Sequence, residues 1–252
     1  ARRLGFNGCR KHNKAEDPRF LYWADRLGFL VWSEVPSAYS DGERTRRALA
    51  SQLVGQVERD RNHPALMAWV LYNESWGIRD VSRSPEVRDW VRELAGLARR
   101  LDPTRLVISN DGWEHVDSDL YTFHTYAPDP ATFVGDVRAF RDGGRVGEHR
   151  LLAEEGRPGS RPLVASEIGG IGFAPGAIPR GGWGYARIAA SAEELERRMG
   201  DLLDAVRGTE GLAGFCYTQL TDTEQEINGL LTAERAAKIP VAKIRKIITG
   251  KE

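Results

Sequence analysis

The sequence predicts an α/β protein of the (β/α)8 barrel class, and three observations support this prediction. Strand-like and helix-like segments alternate along the whole chain, which is typical of parallel βαβ units. The strand-like segments are nearly all apolar, as expected for strands that are buried on both faces. The chain has 252 residues, which matches the usual size of this fold.

Seven short apolar segments predict the strands. They are residues 5–10, 29–34, 65–72, 105–109, 119–124, 162–167 and 212–217. A closed barrel of this class has eight strands, so we expect the first strand and most of the first helix to lie upstream of residue 1. Residues 1–4 would then be the end of that helix. An open doubly wound sheet is the alternative, but no glycine-rich phosphate loop follows the first strand.

Six amphipathic segments predict the helices, and three of them have clear end signals. The segments are residues 17–27, 43–61, 84–101, 129–140, 191–206 and 237–249. Gly28 closes the first, Ser84 and Pro85 open the third, and Ser191 with Glu194 forms a capping pattern for the fifth. Two further stretches, 141–161 and 169–185, lack a periodic pattern and are predicted to be long loops. The second follows Glu167, so its Trp183 and Tyr185 either border a substrate cleft or belong to an ordinary surface loop.

Composition excludes several classes of function. Lys+Arg and Asp+Glu both number 36, so the net charge is zero and no basic surface is predicted for nucleic acid. No apolar run is long enough to cross a membrane, and the first residues do not form a targeting segment. A cytoplasmic and a secreted location both remain open. Cys9 and Cys216 are expected to be buried free thiols rather than a disulfide framework.

Polar side chains follow the apolar strands, at the ends where barrel enzymes place their chemistry. Those singled out from this set are Asn7, Arg10, Lys11, His12, Glu34, Asn73, Glu74, Asn110, Asp111, Trp113, His124, Tyr126, Glu167, Tyr217, Gln219 and Asp222. A protein with a purely structural role is not expected to combine apolar strands with polar residues at every strand end. The sequence therefore predicts an active site at this end of the barrel.

Glu74 and Glu167 are the candidate catalytic pair. A single strand-end glutamate is more often a helix cap or half of a surface salt bridge. Glu74, however, ends the apolar run 65–72 behind Asn73, and Glu167 is the first charge after 162–166. Two carboxylates at buried strand ends are what glycoside hydrolysis by double displacement requires. No cofactor is needed for this reaction, and no metal site is predicted because His12, Glu34 and His124 do not follow a metal-ligand spacing.

These residues resemble the catalytic TIM barrel of glycoside hydrolase family 2, which includes β-galactosidases, β-glucuronidases and β-mannosidases. Residues 5–12 resemble a family strand with Asn, Arg and His, and residues 17–28 resemble its next helix. Residues 33–34 resemble the acidic end of its third strand. Residues 62–77 are the most specific match, to the acid/base motif, and Glu167 lies where the nucleophile is expected.

The resemblance implies roles for individual residues. Glu74 would be the general acid/base and Glu167 the nucleophile, which Tyr126 or His124 would hold. Asn73 would bind the sugar 2-hydroxyl. The remaining substrate contacts are expected from Arg10, His12, Glu34, Asp111, Trp183 and Tyr217. The family usually has a tryptophan near the end of the last strand, where this chain has Tyr217, and many members have a small residue in place of Lys11. The resemblance therefore does not carry the familiar sugar specificities over to this chain.

The resemblance also implies an organisation. Residues 1–252 would form one catalytic domain of a longer protein with upstream β-sandwich domains and a carbohydrate substrate. A homo-oligomer is compatible with the sequence. Three alternatives to a retaining β-glycosidase remain open: a related barrel hydrolase acting on a polysaccharide chain, a sugar-binding or inactive barrel, and a metal-dependent barrel hydrolase or isomerase.

Overall fold

The computed structural model describes residues 1–154 and 159–251, and within them the chain forms nine strands and six helices. The strands are β1 (Gly8–Lys11), β2 (Leu30–Glu34), β3 (Leu66–Val70), β4 (Leu106–Ile108), β5 (Tyr121–His124), β6 (Arg145–Val146), β7 (His149–Arg150), β8 (Leu163–Gly169) and β9 (Leu212–Thr218). The helices are α1 (Pro18–Leu27), α2 (Glu43–Asp60), α3 (Pro85–Leu101), α4 (Pro130–Gly143), α5 (Ala192–Gly208) and α6 (Val241–Thr249).

These elements belong to two compact units. The first unit comprises residues 7–123 and 139–164 and contains an all-parallel sheet in the order β1-β2-β3-β4. Helices α1, α2 and α3 alternate with these four strands along the chain. Since the strands are parallel, their carboxyl ends meet at one edge of the sheet, and Glu34 and Asn73 lie at or just beyond that edge.

The core of this first unit explains why β3 is an unbroken apolar run. Ala68 and Val70 pack with Ile108 on one face of the sheet. Trp69 and Leu71 pack on the opposite face, in a cluster that also holds buried side chains of α2 and α3. Because successive strand residues point to opposite faces, a strand covered on both sides needs apolar residues at every position. The acid that ends this run is therefore exceptional in its surroundings.

The second unit comprises residues 1–6, 124–138 and 165–252 and contains most of β8, all of β9, and helices α5 and α6. Strands β8 and β9 are neighbours in its sheet. The backbone N–H of Thr125 donates to the carbonyl of Glu167 at 3.0 Å, and Gly170 donates to Thr218 at 2.8 Å. The first bond ties the backbone of Glu167 to Thr125, and the second joins the residue after β8 to the end of β9.

All seven predicted strands and six predicted helices are present, with shifts of a few residues at their ends. The last helix is an exception, because it begins at Val241 and not at 237. Pro240 explains this difference, since a residue before proline is disfavoured in the helical region. Residues 2–5 form turns, in which the backbone N–H of Leu4 donates to Ala1 and that of Gly5 donates to Arg2, both at 3.1 Å, and the end of an upstream helix at this point stays a prediction.

The predicted loop 141–161 contains a short antiparallel hairpin, β6-β7, that the sequence pattern did not reveal. Residues 155–158 of this loop lie outside the described residues. Among the helices that the structure describes, none combines the length and the apolar character needed to span a membrane.

Cys9 and Cys216 are not joined in a disulfide, and both are half-buried where burial was expected. Cys9 lies on β1 and Cys216 on β9, and each of these strands ends the strand order of its sheet. An edge strand has a neighbour on one side only, which accounts for the greater exposure of both thiols.

Candidate active site

A buried cluster of charged side chains lies at the carboxyl ends of β1 to β4, in the unit formed by residues 7–123 and 139–164. Nη1 of Arg10 donates to Oε1 of Glu34 at 2.7 Å and to Oδ1 of Asn73 at 3.1 Å. The same nitrogen donates to a carboxylate oxygen of Asp111. The side chains of Arg10, Glu34 and Asp111 are at most 5% exposed. Buried charges of this kind are tolerated because they are paired and hydrogen-bonded.

Glu34 is held from a second side as well. The backbone N–H of Asn13 donates to its Oε2, and Nδ1 of His12 lies 3.4 Å from the same oxygen. The side chain of His12 is 53% exposed, so it forms the accessible border of the cluster. Lys11 points elsewhere and pairs with Glu16 at 2.6 Å. Of the two neighbouring cations, Arg10 is therefore the one that joins the predicted site.

Glu74 occupies a turn of unusual shape. The backbone N–H of Trp76 donates to the carbonyl of Asn73 at 2.9 Å, and the two central residues, Glu74 and Ser75, have φ values of 52° and 58°. Positive φ at both central positions is the mark of a type I′ turn, which favours glycine or asparagine. Left-handed backbone in other residues costs free energy and clusters at functional sites. Glu74 itself is only half-buried, so its side chain is accessible.

Asn110 holds this turn in place. Its Oδ1 accepts from the backbone N–H of Ser75 at 3.0 Å, and its Nδ2 donates to Oγ of Ser75 at 3.0 Å and to the carbonyl of Trp113 at 2.7 Å. Oγ of Ser75 in turn donates to Glu114. The backbone N–H of Glu74 donates to the carbonyl of Asp111 at 2.9 Å. Asn110 follows a buried strand in the sequence, but nothing there indicated that it supports residues 74–75.

Glu167 is the centre of a second cluster, in the unit that holds residues 124–138 and 165–252. The hydroxyl of Tyr126 donates to Oε2 of Glu167, and Nδ1 of His124 lies 3.8 Å from Oε1. Burial, followed by the charge of Glu167, raises the pKa of Tyr126 far above its usual range. Tyr126 is therefore a neutral hydrogen-bond donor to Glu167 at every physiological pH, while His124 lies close to the same carboxylate without a hydrogen bond at that distance.

Two glycines, two and three residues after Glu167, allow aromatic rings to pack on the backbone. Gly169 and Gly170 have φ values of 93° and 58°. A Cβ at Gly169 would lie 2.4 Å from the ring of Tyr217, and one at Gly170 would lie 2.7 Å from the ring of Tyr126. Tyr126 also stacks on Tyr185, with ring centroids 4.1 Å apart and planes 6° apart. The backbone conformation and the lack of side chains therefore place Tyr126 against Glu167.

Trp183 and Tyr217 occupy different surroundings from each other. Trp183 is 42% exposed and meets the ring of Tyr185 edge-on, with centroids 5.0 Å apart. Tyr217 is buried beside Gly169, and its burial raises the pKa of its hydroxyl, while the charge of Arg198 on α5 acts in the opposite direction. The position of Tyr217 thus gives no support to its predicted contact with sugar, whereas Trp183 remains accessible beside the aromatic stack.

The sequence of this chain matches that of a known protein family. The model of the family described as glycosyl hydrolases family 2, TIM barrel domain, matches residues 1–129. The chain belongs to this family. The predictions of family and of barrel fold class are therefore confirmed, whereas glycosidase activity remains a prediction. The individual site residues, the domain bounds and the upstream β-sandwich domains stay predictions.

Relatives with curated names include glycosidases of two kinds. A β-glucuronidase of Paenibacillus borealis is 34% identical over 116 residues, which are 40% of this chain and 19% of the relative. A β-galactosidase of Thermoanaerobacterium thermosulfurigenes is 28% identical over 132 residues, which are 50% of this chain and 17% of the relative. A putative β-glucuronidase of Formosa agariphila is 28% identical over 107 residues, which are 40% of this chain and 13% of the relative.

Solved structures of β-glucuronidases resemble the chain over almost its whole length. β-Glucuronidase 3 of Bacteroides uniformis matches 98% of the chain with a TM-score of 0.73 and 20% identity. β-D-Glucuronidase of Dictyoglomus thermophilum matches all of it with a TM-score of 0.75 and 16% identity. The chain spans 33% and 46% of the length of these two structures. At this identity, the likeness establishes the fold alone.

Proposed function

We propose that this family 2 domain hydrolyses β-glycosidic bonds by double displacement, with Glu167 as the nucleophile and Glu74 as the general acid/base. The observation that supports this most is the hydrogen bond from Tyr126 to Glu167. A neutral donor fixes one carboxylate oxygen and favours the charged form of the group. The second oxygen is then the one that attacks carbon. A merely structural glutamate does not require such a holder.

The reaction has two steps. In the first, a carboxylate oxygen of Glu167 attacks the anomeric carbon, the bond to the leaving-group oxygen breaks, and Glu74 gives its proton to that oxygen. This forms a glycosyl ester on Glu167. In the second step, Glu74 takes a proton from water as the water oxygen attacks the same carbon, and Glu167 leaves as a carboxylate. Two inversions give overall retention.

The buried Arg10 cluster suits the binding of sugar hydroxyl groups. Arg10 donates to Oδ1 of Asn73, which fixes the orientation of the amide and directs its Nδ2 hydrogens to other acceptors. We assign this amide to the 2-hydroxyl of the sugar. Glu34 and Asp111 hold Arg10 rigidly, and a hydrogen bond to the sugar is strongest when the protein group needs no reorganisation.

The proposed substrate is a β-linked hexose or hexuronic acid. Relatives of this chain are named β-glucuronidase and β-galactosidase, and their names support both sugars equally. Three further candidate contacts with the sugar are His12 at the border of the cluster, His124 near Glu167, and Trp183 beside Tyr185. A sugar-binding or inactive barrel is the remaining alternative to an enzyme.

Trapping the intermediate tests this proposal. The full-length protein is incubated with activated 2-deoxy-2-fluoro β-glycosides of glucuronic acid, galacturonic acid, galactose and mannose, and its intact mass and peptides are measured. The proposal expects one stable adduct on Glu167, which is absent in Glu167→Gln. Turnover of 4-nitrophenyl glycosides without any adduct would contradict double displacement. Sugar binding in calorimetry without turnover would favour the inactive barrel.

A further inference from the structure

Two exposed aromatic side chains meet beside the turn that holds Glu74. Tyr39 is 89% exposed and Trp76 is 50% exposed. Their ring centroids lie 5.9 Å apart with planes at 80°, so the rings form an edge-to-face corner. Tyr39 lies in the loop after β2 and Trp76 in the loop after β3, two neighbouring parallel strands. Adjacent exposed aromatic rings commonly mark a binding surface.

The edge-to-face corner has a fixed geometry, because backbone contacts hold the two loops against each other. A Cβ at Gly77 would lie 2.7 Å from the carbonyl oxygen of Ala38, so the chains touch at this point. The backbone N–H of Arg79 donates to Asp41 at 3.2 Å. Asp41 in turn accepts two hydrogen bonds of 2.9 Å from Arg46 of α2. These contacts anchor both loops to one helix and hold the two rings together.

The position of the corner relates it to the leaving group. Trp76 is the last residue of the four-residue turn that contains Glu74. In the proposed function, Glu74 gives its proton to the leaving-group oxygen, so the leaving group must lie beside this turn. We propose that Tyr39 and Trp76 form a leaving-group subsite that stacks a second sugar ring. This inference rests on the proposed function, because it assigns Glu74 the role of acid.

The shape and border of the corner favour a sugar ring over a flat aromatic group. One ring can lie under the apolar C–H face of a pyranose while the other ring meets its edge. Ser40 and Arg79 are exposed at the same loops and supply polar groups for hydroxyls. Binding sites typically combine an aromatic surface with a few polar groups that fix orientation. The subsite therefore predicts a disaccharide or oligosaccharide as substrate.

Leaving-group dependence tests this subsite. For the sugar that the enzyme cleaves fastest, kcat/KM is measured on the β-glycosyl fluoride, the 4-nitrophenyl glycoside and the β-1,4-linked disaccharide, in the full-length protein. Only the last two carry a ring in the leaving group. We expect Trp76→Ala to lower kcat/KM on the disaccharide about tenfold more than on the fluoride, and Tyr39→Ala about threefold more.

The Tyr22–Trp23 pair of α1 offers a matched control. Its rings are also edge-to-face, at 5.2 Å and 76°, and Trp23 is 59% exposed. Trp23→Ala should keep the wild-type ratio between disaccharide and fluoride. Equal losses on both substrates in Trp76→Ala would overturn the subsite. If Trp76→Ala lowered kcat/KM only on the 4-nitrophenyl glycoside, the subsite would bind an aromatic group and not a sugar ring. That result would overturn the proposal.

Calorimetry separates this inference from the proposed function. If the wild-type protein cleaves none of these substrates, its binding of the same disaccharides is measured against that of Trp76→Ala. Weaker binding by the variant would support the subsite although the proposed function had failed. Binding of equal strength in both proteins, or no binding at 10 mM disaccharide, would overturn the subsite as well.

Discussion

The hydroxyl of Tyr126 donates a hydrogen bond to Glu167, while its ring packs flat on Tyr185 and against the backbone of Gly170. The hydrogen bond has a purpose in catalysis only if the carboxylate must be charged and correctly turned. Both conditions apply to a nucleophile. The relationship between these residues can be tested separately from the identity of the sugar.

Tyr126→Phe removes the donor and keeps the ring. A hydrogen bond to a charged group contributes about 1.5–3 kcal/mol, so kcat/KM should fall about 10- to 100-fold. Loss of the donor also disfavours the carboxylate form of Glu167, and the acidic limb of the pH profile of kcat/KM should move to higher pH. Tyr22→Phe, on exposed α1, is the control. An unshifted acidic limb in Tyr126→Phe would refute the assigned role.

Asn110→Ala removes the side chain that supports the Glu74 turn. Protonation of the leaving group matters most when that group is a poor one. We therefore expect about a 30-fold loss of kcat on a methyl glycoside and only a few-fold loss on a 2,4-dinitrophenyl glycoside. Stopped or continuous assays on both substrates measure the ratio. A uniform loss on the two would mean that Asn110 is a structural residue without influence on the acid.

Gly170→Ala introduces a methyl group where the backbone is left-handed and the ring of Tyr126 is 2.7 Å away. The variant should lose about 1–3 kcal/mol of stability and much of its activity. Gly200→Ala is the matched control, because this α5 glycine has nothing within 4 Å of its added Cβ. That change should stabilise the protein by about 0.5–1 kcal/mol. Thermal and urea unfolding of both variants measure the difference.

Asp102 links stability to pH. Burial opposes the charge of Asp102, but hydrogen bonds from Thr104 and Trp69 outweigh it and lower the pKa of the carboxyl below 3.8. A carboxyl with a lowered pKa in the folded state stabilises the fold above its unfolded pKa, and this contribution is lost as pH falls through the folded pKa. Asp102→Asn should therefore be less stable than wild type at pH 7, and the two should converge below about pH 4. Urea unfolding across this range is the measurement, and a constant difference would contradict the argument.

Periodicity was sufficient to predict the regular elements other than the β6-β7 hairpin, and it also singled out the two glutamates as candidates. Strand β3 is apolar at every position because both of its faces are covered by other buried side chains. Such a continuous apolar run can be recognised in the sequence alone. Glu74 and Glu167 stand out for the same reason, since each is the acid that ends such a run. The capping serines, Ser84 and Ser191, identify helix starts from local chemistry, and both accept the expected backbone hydrogen bond.

The remaining features depend on contacts between distant residues. The turn at residues 73–76 lacks the Asn-Gly pair that is typical of a type I′ turn. Its shape is supported by Asn110, which lies 35 residues after Ser75. Tyr185 lies in a loop without periodicity, and its ring stacks on that of Tyr126, which is 59 positions earlier in the sequence. Tyr217 follows the alternation of β9, which puts it in buried surroundings near Arg198 of α5. No local pattern carries such information.

The left-handed backbone of Glu74 has a consequence for how this protein can change. A glycine at position 74 would relieve the conformational cost of the turn. The free energy of unfolding of Glu74→Gly is therefore expected to be higher than that of the natural chain. The same substitution would also remove the side chain proposed to be the acid. Random mutation followed by screening for heat resistance alone would thus favour loss of activity at this position. Only selection for turnover would keep a glutamate where the fold prefers none.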